Sequence, residues 1–280
     1  MASKTAYMWI RDGVLINRMH VNPVAFALSY WFNLEQEQKE SVTIETLINF
    51  GFQKSGYSCL EKMRLFNTEH SPLLSNLEDA VANYNVLAAT AGERCTYFDF
   101  APQLLQKLSN EGCKNYITSA LDQQIIDNWI NSAQGKESEN SIDEILGHRP
   151  GFNKGADHFK YVSEKVEGGR IFYIADAVSE ISTGAKYSEQ FNITTIGFAY
   201  YIDVNAVEQA YNLILELLTS TNGGTTTDQL PALDKSKINL PQSHEIVEAL
   251  KNAGADAVVT GSSATIMANL AVKLQIFALG

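Results

Sequence analysis

Ala6–Asn17 reads AYMWIRDGVLIN, and the rest of the chain is organised around it. An apolar run over residues 7–10 stops at Asp12-Gly13, where the chain turns. Short uninterrupted apolar runs that end at turn residues suit a strand buried on both faces of a sheet. In a parallel α/β sheet such a strand carries the residues after it to the carboxyl edge, where ligands bind. Asp12 is therefore the first candidate for chemistry.

Outward from this stretch, the chain alternates. Lys114–Thr118 (KNYIT) is a second short strand and ends in Ser119. Arg170–Ala175 (RIFYIA) is a third and ends in Asp176, and Thr194–Phe198 (TTIGF) is a fourth. Ile145-Leu146-Gly147 is a smaller strand candidate. Helices are expected between them: residues 102–113, opened by Pro102 and closed near Gly112; a segment with Ile125, Ile126, Trp129 and Ile130 on one face; and a helix begun at Asn153-Lys154-Gly155 and running through Lys165. Gly135–Asn140 reads as a polar, exposed loop. Strand and helix in alternation imply an α/β fold with a doubly wound parallel sheet.

Two segments break the alternation. From Arg18 to about Thr90 the apolar spacing is helical throughout, with Val24, Leu28, Trp31 and Phe32 on one face, then Ile44, Leu47 and Ile48. Gly51 and Ser55-Gly56 are expected helix stops, with turns at Ser71-Pro72 and Ser75-Asn76. Near residues 200–240, an amphipathic helix over Val204–Leu218 precedes a linker-like Asn222–Thr227. Residues 244–251 (HEIVEALK) then lead through Gly254-Ala255-Asp256 into Ala257-Val258-Val259, a helix-to-strand junction.

Composition excludes several classes. The chain of 280 residues carries a formal charge of −11, which argues against nucleic acid or an anionic membrane as partner. No apolar run approaches transmembrane length, and Arg11 and Asp12 interrupt any signal-peptide core. Cys59, Cys95 and Cys113 are odd in number and widely spaced, as reduced thiols in the cytoplasm would be. No HExxH, CxxC, Walker, dinucleotide-glycine or Gly-x-Ser-x-Gly pattern is present.

The opening stretch resembles the first motif of haloacid dehalogenase-like (HAD) hydrolases, an apolar strand followed by Asp-x-Asp-Gly-(Val/Thr)-Leu. Gly13, Val14 and Leu15 set the register, so Asp12 matches the second aspartate, the acid/base. The nucleophile position is then residue 10, which is Ile. The resemblance extends to the later strand ends. Ser119, with Thr118 one register step away, matches the phosphoryl-holding hydroxyl, and Lys154 matches the phosphate-contacting lysine, better placed than Lys160. Asp176 with Glu180 matches the acidic fourth motif. Taken singly, Ser119 reads as a cap, Lys154 as a surface lysine and Asp176 as an N-cap; their order at successive strand ends gives the match its weight.

The resemblance implies a HAD-like, Rossmann-like core over residues 1–17 and 91–280, with an insertion near 200–240, and an inserted all-helical cap over 18–90, as in the phosphoglycolate phosphatase-like branch. Ser55–Arg64 resembles a cap loop of that branch, where Lys62 or Arg64 meets a substrate anion; the plainer reading keeps both on a surface helix. It also implies Mg²⁺ held by Asp12, Asp176 and Glu180, a set that Ile10 weakens by one carboxylate. The expected ligand is a small anionic metabolite held by Ser119, Lys154 and Lys62. The functions left open are a phosphatase-like protein without ordinary phosphatase or dehalogenase activity, a pseudoenzyme in binding or regulation or a non-standard enzyme; a working Mg²⁺-dependent phosphatase of small phosphorylated metabolites; and a structural subunit with Val204–Leu218 as its contact. Oligomeric state and protein partners stay open.

Overall fold

The computed structural model describes residues 5–55, 57–70, 74, 76–92, 94–132, 135–200, 204–221, 231–261 and 269–270. The expected stops and turns at Gly56, Ser71-Pro72 and Ser75, and the linker Asn222–Thr227, lie outside them. The chain divides into two compact units. One, the sheet unit, comprises Met1–Asn17, Thr96–Tyr201 and Gln242–Gly280; the other, the helical unit, comprises Arg18–Cys95 and Ile202–Pro241.

In the sheet unit, β1 (Thr5–Ile10), β2 (Lys114–Asp122), β3 (Glu144–His148), β4 (Arg170–Ala175), β5 (Ile193–Tyr200) and β6 (Ala257–Gly261) form one parallel sheet in the order β3-β2-β1-β4-β5-β6. The two central strands carry the most continuous apolar sequence: residues 6–10 of β1 and 171–175 of β4 are all buried. Tyr7 lies opposite Phe172, and their rings stack at 5.0 Å. The junction at Gly254-Ala255-Asp256 sets the register of β6: the Asp256 carboxylate accepts the Thr195 N–H at 2.7 Å and the Asp256 N–H returns to the Thr195 carbonyl at 2.9 Å.

Asn115 ties the other side together. It is fully buried, yet each of its polar side-chain atoms is paired. Its Oδ1 accepts from Trp9 Nε1 at 3.1 Å, and its Nδ2 donates to the carbonyls of Leu105 (3.1 Å) and Ser141 (3.0 Å). The segment 135–140 is largely exposed, as expected, at Lys136, Glu137, Glu139 and Asn140, while Gly135 and Ser138 are buried within it. Ile125, expected on the apolar face of its helix, is 44% exposed, because within Gln123–Ile130 only Ile126 reaches the sheet fully.

The helical unit is built around α1 (Val21–Phe32), buried along nearly its whole length because α3 (Ile44–Gln53), α5 (Leu77–Gly92) and α11 (Val204–Thr221) all pack on it. The unit also holds the short α2 (Gln36–Lys39) and α4 (Cys59–Glu69). Thr43 and Ser58 side chains cap α3 and α4. Phe26, Tyr30, Phe50 and Phe66 form the aromatic centre. Gly51 is not a helix stop. It lies inside α3, where a Cβ would come within 3.0 Å of Pro23 Cα, so its bareness serves a close helix crossing.

Residues 202–241, which the sequence sets apart as an insertion, belong with these helices. The apolar stripe of α11, Val207, Ala210, Tyr211 and Ile214, is buried there. Farther on, the Asp234 N–H donates to Glu45 Oε1 (2.7 Å) and Asn49 Nδ2 to the Lys237 carbonyl (2.9 Å).

Candidate functional site

The strand order creates a switch point. From β1 the chain runs outward to β2 and β3, then crosses to β4 and outward to β5 and β6. Loops leaving β1 and β4 therefore diverge at their carboxyl ends, and a crevice at such a point is where open α/β sheets bind ligands. Asp12 follows β1, and Asp176 follows β4.

The turn after β1 is tightly closed on itself. Gly13 has φ +94°, a conformation costly for a side-chain-bearing residue. The Gly13 N–H donates to the Ile16 carbonyl (2.9 Å), and the Leu15 and Ile16 N–H groups both donate to the Arg11 carbonyl (3.1 and 2.9 Å). A Cβ on Gly13 would stand 2.2 Å from Asp176 Oδ2, so the two strand-end segments are in direct contact.

Three carboxyl groups of the sequence motifs lie near these strand ends in three different states. Asp12 is gripped by its neighbour: Arg11 Nε and Nη2 donate to its two oxygens at 2.9 and 3.0 Å, and the guanidinium stacks on Trp129 at 5.3 Å. Arg11 is 4% exposed and the Asp12 side chain 23%. Glu180, in the first turn of α9 (Val178–Lys186), is ion-paired with Lys154 Nζ, and its Oε2 is buried without a hydrogen bond. Burial first, then the Glu180 charge, holds the Asp176 carboxyl well above the usual range; Lys154 opposes the shift and Asp12 adds slightly to it. A proton on Asp176 relieves its repulsion with Glu180.

The hydroxyl position resolves differently from expectation. β2 does not stop before Ser119 but runs through it, with a register irregularity between Thr118 and Asp122. Ser119 Oγ accepts the Leu121 N–H at 3.2 Å, the local capping role. Thr118 Oγ1 lies 2.7 Å from Nδ1 of His158, a fully buried residue of α8 (Ala156–Lys165). Burial pushes His158 down to about 4, so the ring is neutral at physiological pH. Either Thr118 Oγ1 or His158 Nδ1 donates in this bond, according to the ring tautomer.

Lys62, expected either on the surface or in reach of an anion, is buried in α4 of the helical unit, and burial lowers its pKa. Arg64 is exposed. Arg11, Trp129 and His158 were not singled out by motif. The signal for Arg11 was a cation at the end of a run otherwise buried; His158 carried none, since its depth depends on the packing of α8.

The expected Mg²⁺ set does not fit. Among the described residues, no three His, Cys, Asp or Glu side chains are grouped to hold a metal ion, and Asp12, Asp176 and Glu180 form no such group. The reason is chemical: Asp12 holds a guanidinium and Glu180 an ammonium, while residue 10 offers no oxygen. The orphaned Glu180 Oε2 is a single donor atom.

Solved structures place this architecture. No protein-family model and no curated protein matches the chain. A HAD-family hydrolase from Deinococcus radiodurans R1, solved with bound phosphate and sodium, aligns with a TM-score of 0.56 at 15% identity, over 96% of this chain and 94% of its own. A hydrolase from Pseudomonas syringae aligns at 0.56 and 17% identity, over 98% of both chains. A Lactobacillus delbrueckii subsp. bulgaricus protein, assigned by prediction as a phosphoglycolate phosphatase, aligns at 0.51 and 15%, over 95% and 98%. The fold is that of the HAD-like hydrolases.

Proposed function

We propose that this protein is a HAD-fold protein without covalent phosphatase or dehalogenase chemistry, which keeps a pocket for a small anionic metabolite and acts in binding, regulation or a non-standard reaction. The observation that carries the reading is Ile10, the last residue of β1 and only 4% exposed, at the position where the motif register puts the attacking carboxylate. A hydrocarbon side chain cannot attack phosphorus. Loss of a covalent nucleophile removes several kcal/mol of barrier lowering, at about 1.4 kcal/mol per tenfold in rate. Lys154, paired with Glu180 and near Asp176, supports the anion pocket, as does the phosphate bound in the Deinococcus neighbour of the same fold. The three cysteines are free thiols, which supports a cytoplasmic location.

Wild type and Ile10→Asp are compared in one Mg²⁺-dependent assay on an aryl phosphate and a panel of small phosphorylated metabolites. The reading expects a silent wild type and a variant that turns over. Turnover by wild type would sink it and establish the second reading, a working Mg²⁺-dependent phosphatase. That alternative is favoured by the survival of Asp12, Lys154, Asp176 and Glu180 at the strand ends.

A further inference from the structure

At the far side of the sheet, β3 is an edge strand, and a groove of about 420 Å³ is lined jointly by its residues and by α7 (Gln123–Ile130). Ile130, Ile142 and Ile145 are half-buried there and make part of the lining apolar. The rest is acidic: Asp127, Glu139, Asp143 and Glu144 stand against one cation, Arg149. Three of these carboxylates have partners. Asp127 accepts from Gln123 Nε2 (2.8 Å), Asp143 from Lys114 Nζ, and Glu144 from the Tyr161 hydroxyl (2.9 Å). Glu139 is exposed and makes no ion pair among the described residues. Gln123 shows what the edge accepts. Its side-chain amide donates to the Ile145 carbonyl at 3.0 Å and accepts the Gly147 N–H at 2.8 Å. Those two groups flank Leu146, and one residue of a parallel neighbouring strand bonds in the same pattern.

We propose that the β3 edge is a docking surface for an extended basic segment of a partner protein, which adds a strand parallel to β3 and takes over the two bonds that Gln123 makes. Main-chain bonding to a sheet edge supplies affinity, and side chains alternating along the added strand supply specificity. Here a sequence that alternates apolar and basic residues meets both parts of the groove, the isoleucines and the carboxylates. Displacing Gln123 costs little, because a peptide unit of the partner replaces its amide at the same two groups. Burial of the half-exposed isoleucines and an ion pair for Glu139 are then net gains. A second copy of this chain is a poorer occupant, since edge-to-edge pairing brings the same carboxylates together. None of these residues belongs to the set at Asp12, Lys154, Asp176 and Glu180, so the surface is independent of the function proposed above.

Fluorescence anisotropy of the whole chain with a labelled short peptide alternating Lys and Val tests the proposal. Two controls accompany it: the same peptide with Glu for Lys, and the Lys peptide N-methylated at alternate peptide bonds, which keeps its charge but cannot pair as a strand. The Lys peptide should bind and both controls should not. Gln123→Ala vacates the edge and should tighten binding about fivefold, the worth of one hydrogen bond no longer broken. A variant that fails to fold cannot gain affinity in this way. Glu139→Lys, at an exposed side chain outside any ion pair, should weaken binding about fivefold. Equal binding of the N-methylated peptide would mean that charge alone attracts it to an acidic chain, and overturns the proposal. Unchanged affinity in either variant, or no binding of the Lys peptide, overturns it as well. Self-association of the chain that the peptide dissolves would make a second copy the occupant, and also overturns it.

Discussion

Gly13 and Asp176 meet where β1 and β4 end, so closely that a methyl group on Gly13 would stand 2.2 Å from the Asp176 carboxylate oxygen. The positive φ of Gly13 compounds the steric conflict. Gly13→Ala should therefore lower stability by about 2–3 kcal/mol, more than backbone strain alone produces. Denaturant melts of Gly13→Ala, Asp176→Ala and the double variant separate the causes. If the double variant is as unstable as the sum of its parts, the contact carries no energy.

His158 makes stability depend on acid. Unfolded, it takes a proton near 6.5; folded, only near 4. Between those values the unfolded chain binds the extra proton, so stability falls as pH falls, by about 3 kcal/mol across the window. His158→Gln should be less stable at neutral pH yet lose less on acidification. Parallel stability curves for wild type and variant from neutral pH down to about 4 would assign the acid sensitivity to other groups.

Asn115 should tolerate no apolar replacement. Asn115→Leu strands the Trp9 N–H and the Leu105 and Ser141 carbonyls in the interior and adds no partner for them. A loss of about 3 kcal/mol or more is expected from urea melts. A loss below about 1 kcal/mol would mean that water reaches these groups.

Gln123 protects the edge of the sheet. β3 is an edge strand, and the Gln123 side-chain amide acts like one residue of a further strand: its Nε2 donates to the Ile145 carbonyl at 3.0 Å and its Oε1 accepts the Gly147 N–H at 2.8 Å. Gln123→Ala should leave the unfolding free energy within about 1 kcal/mol of wild type but raise aggregation on gentle heating. Light scattering reads the effect, and identical scattering would show that the exposed edge is harmless.

Much of the fold was legible in the sequence because buried parallel strands write themselves as apolar runs. RIFYIA is β4 residue for residue, and the junction at Asp256 leads into β6 as read. The strand ends carrying Asp12 and Asp176 followed from the same runs. The sequence could not say that Gly51 serves a helix crossing over Pro23, or that Ser119 caps its own chain while Thr118 bonds His158. Those depend on what a residue meets across the fold, and local spacing encodes only what it meets nearby.

By itself, then, the sequence determined the parallel sheet, the helical insertion and Ile10 at the end of the first strand, since hydrophobic burial has a period that a chain displays along its length. Tertiary structure alone decided that residues 202–241 join the helices, because an amphipathic face does not name its partner. It alone decided the state of each carboxyl group in the crevice. Ionisation follows the charges and the solvent around a group, and Arg11, Lys154 and Glu180 reach their places only once distant strands lie side by side.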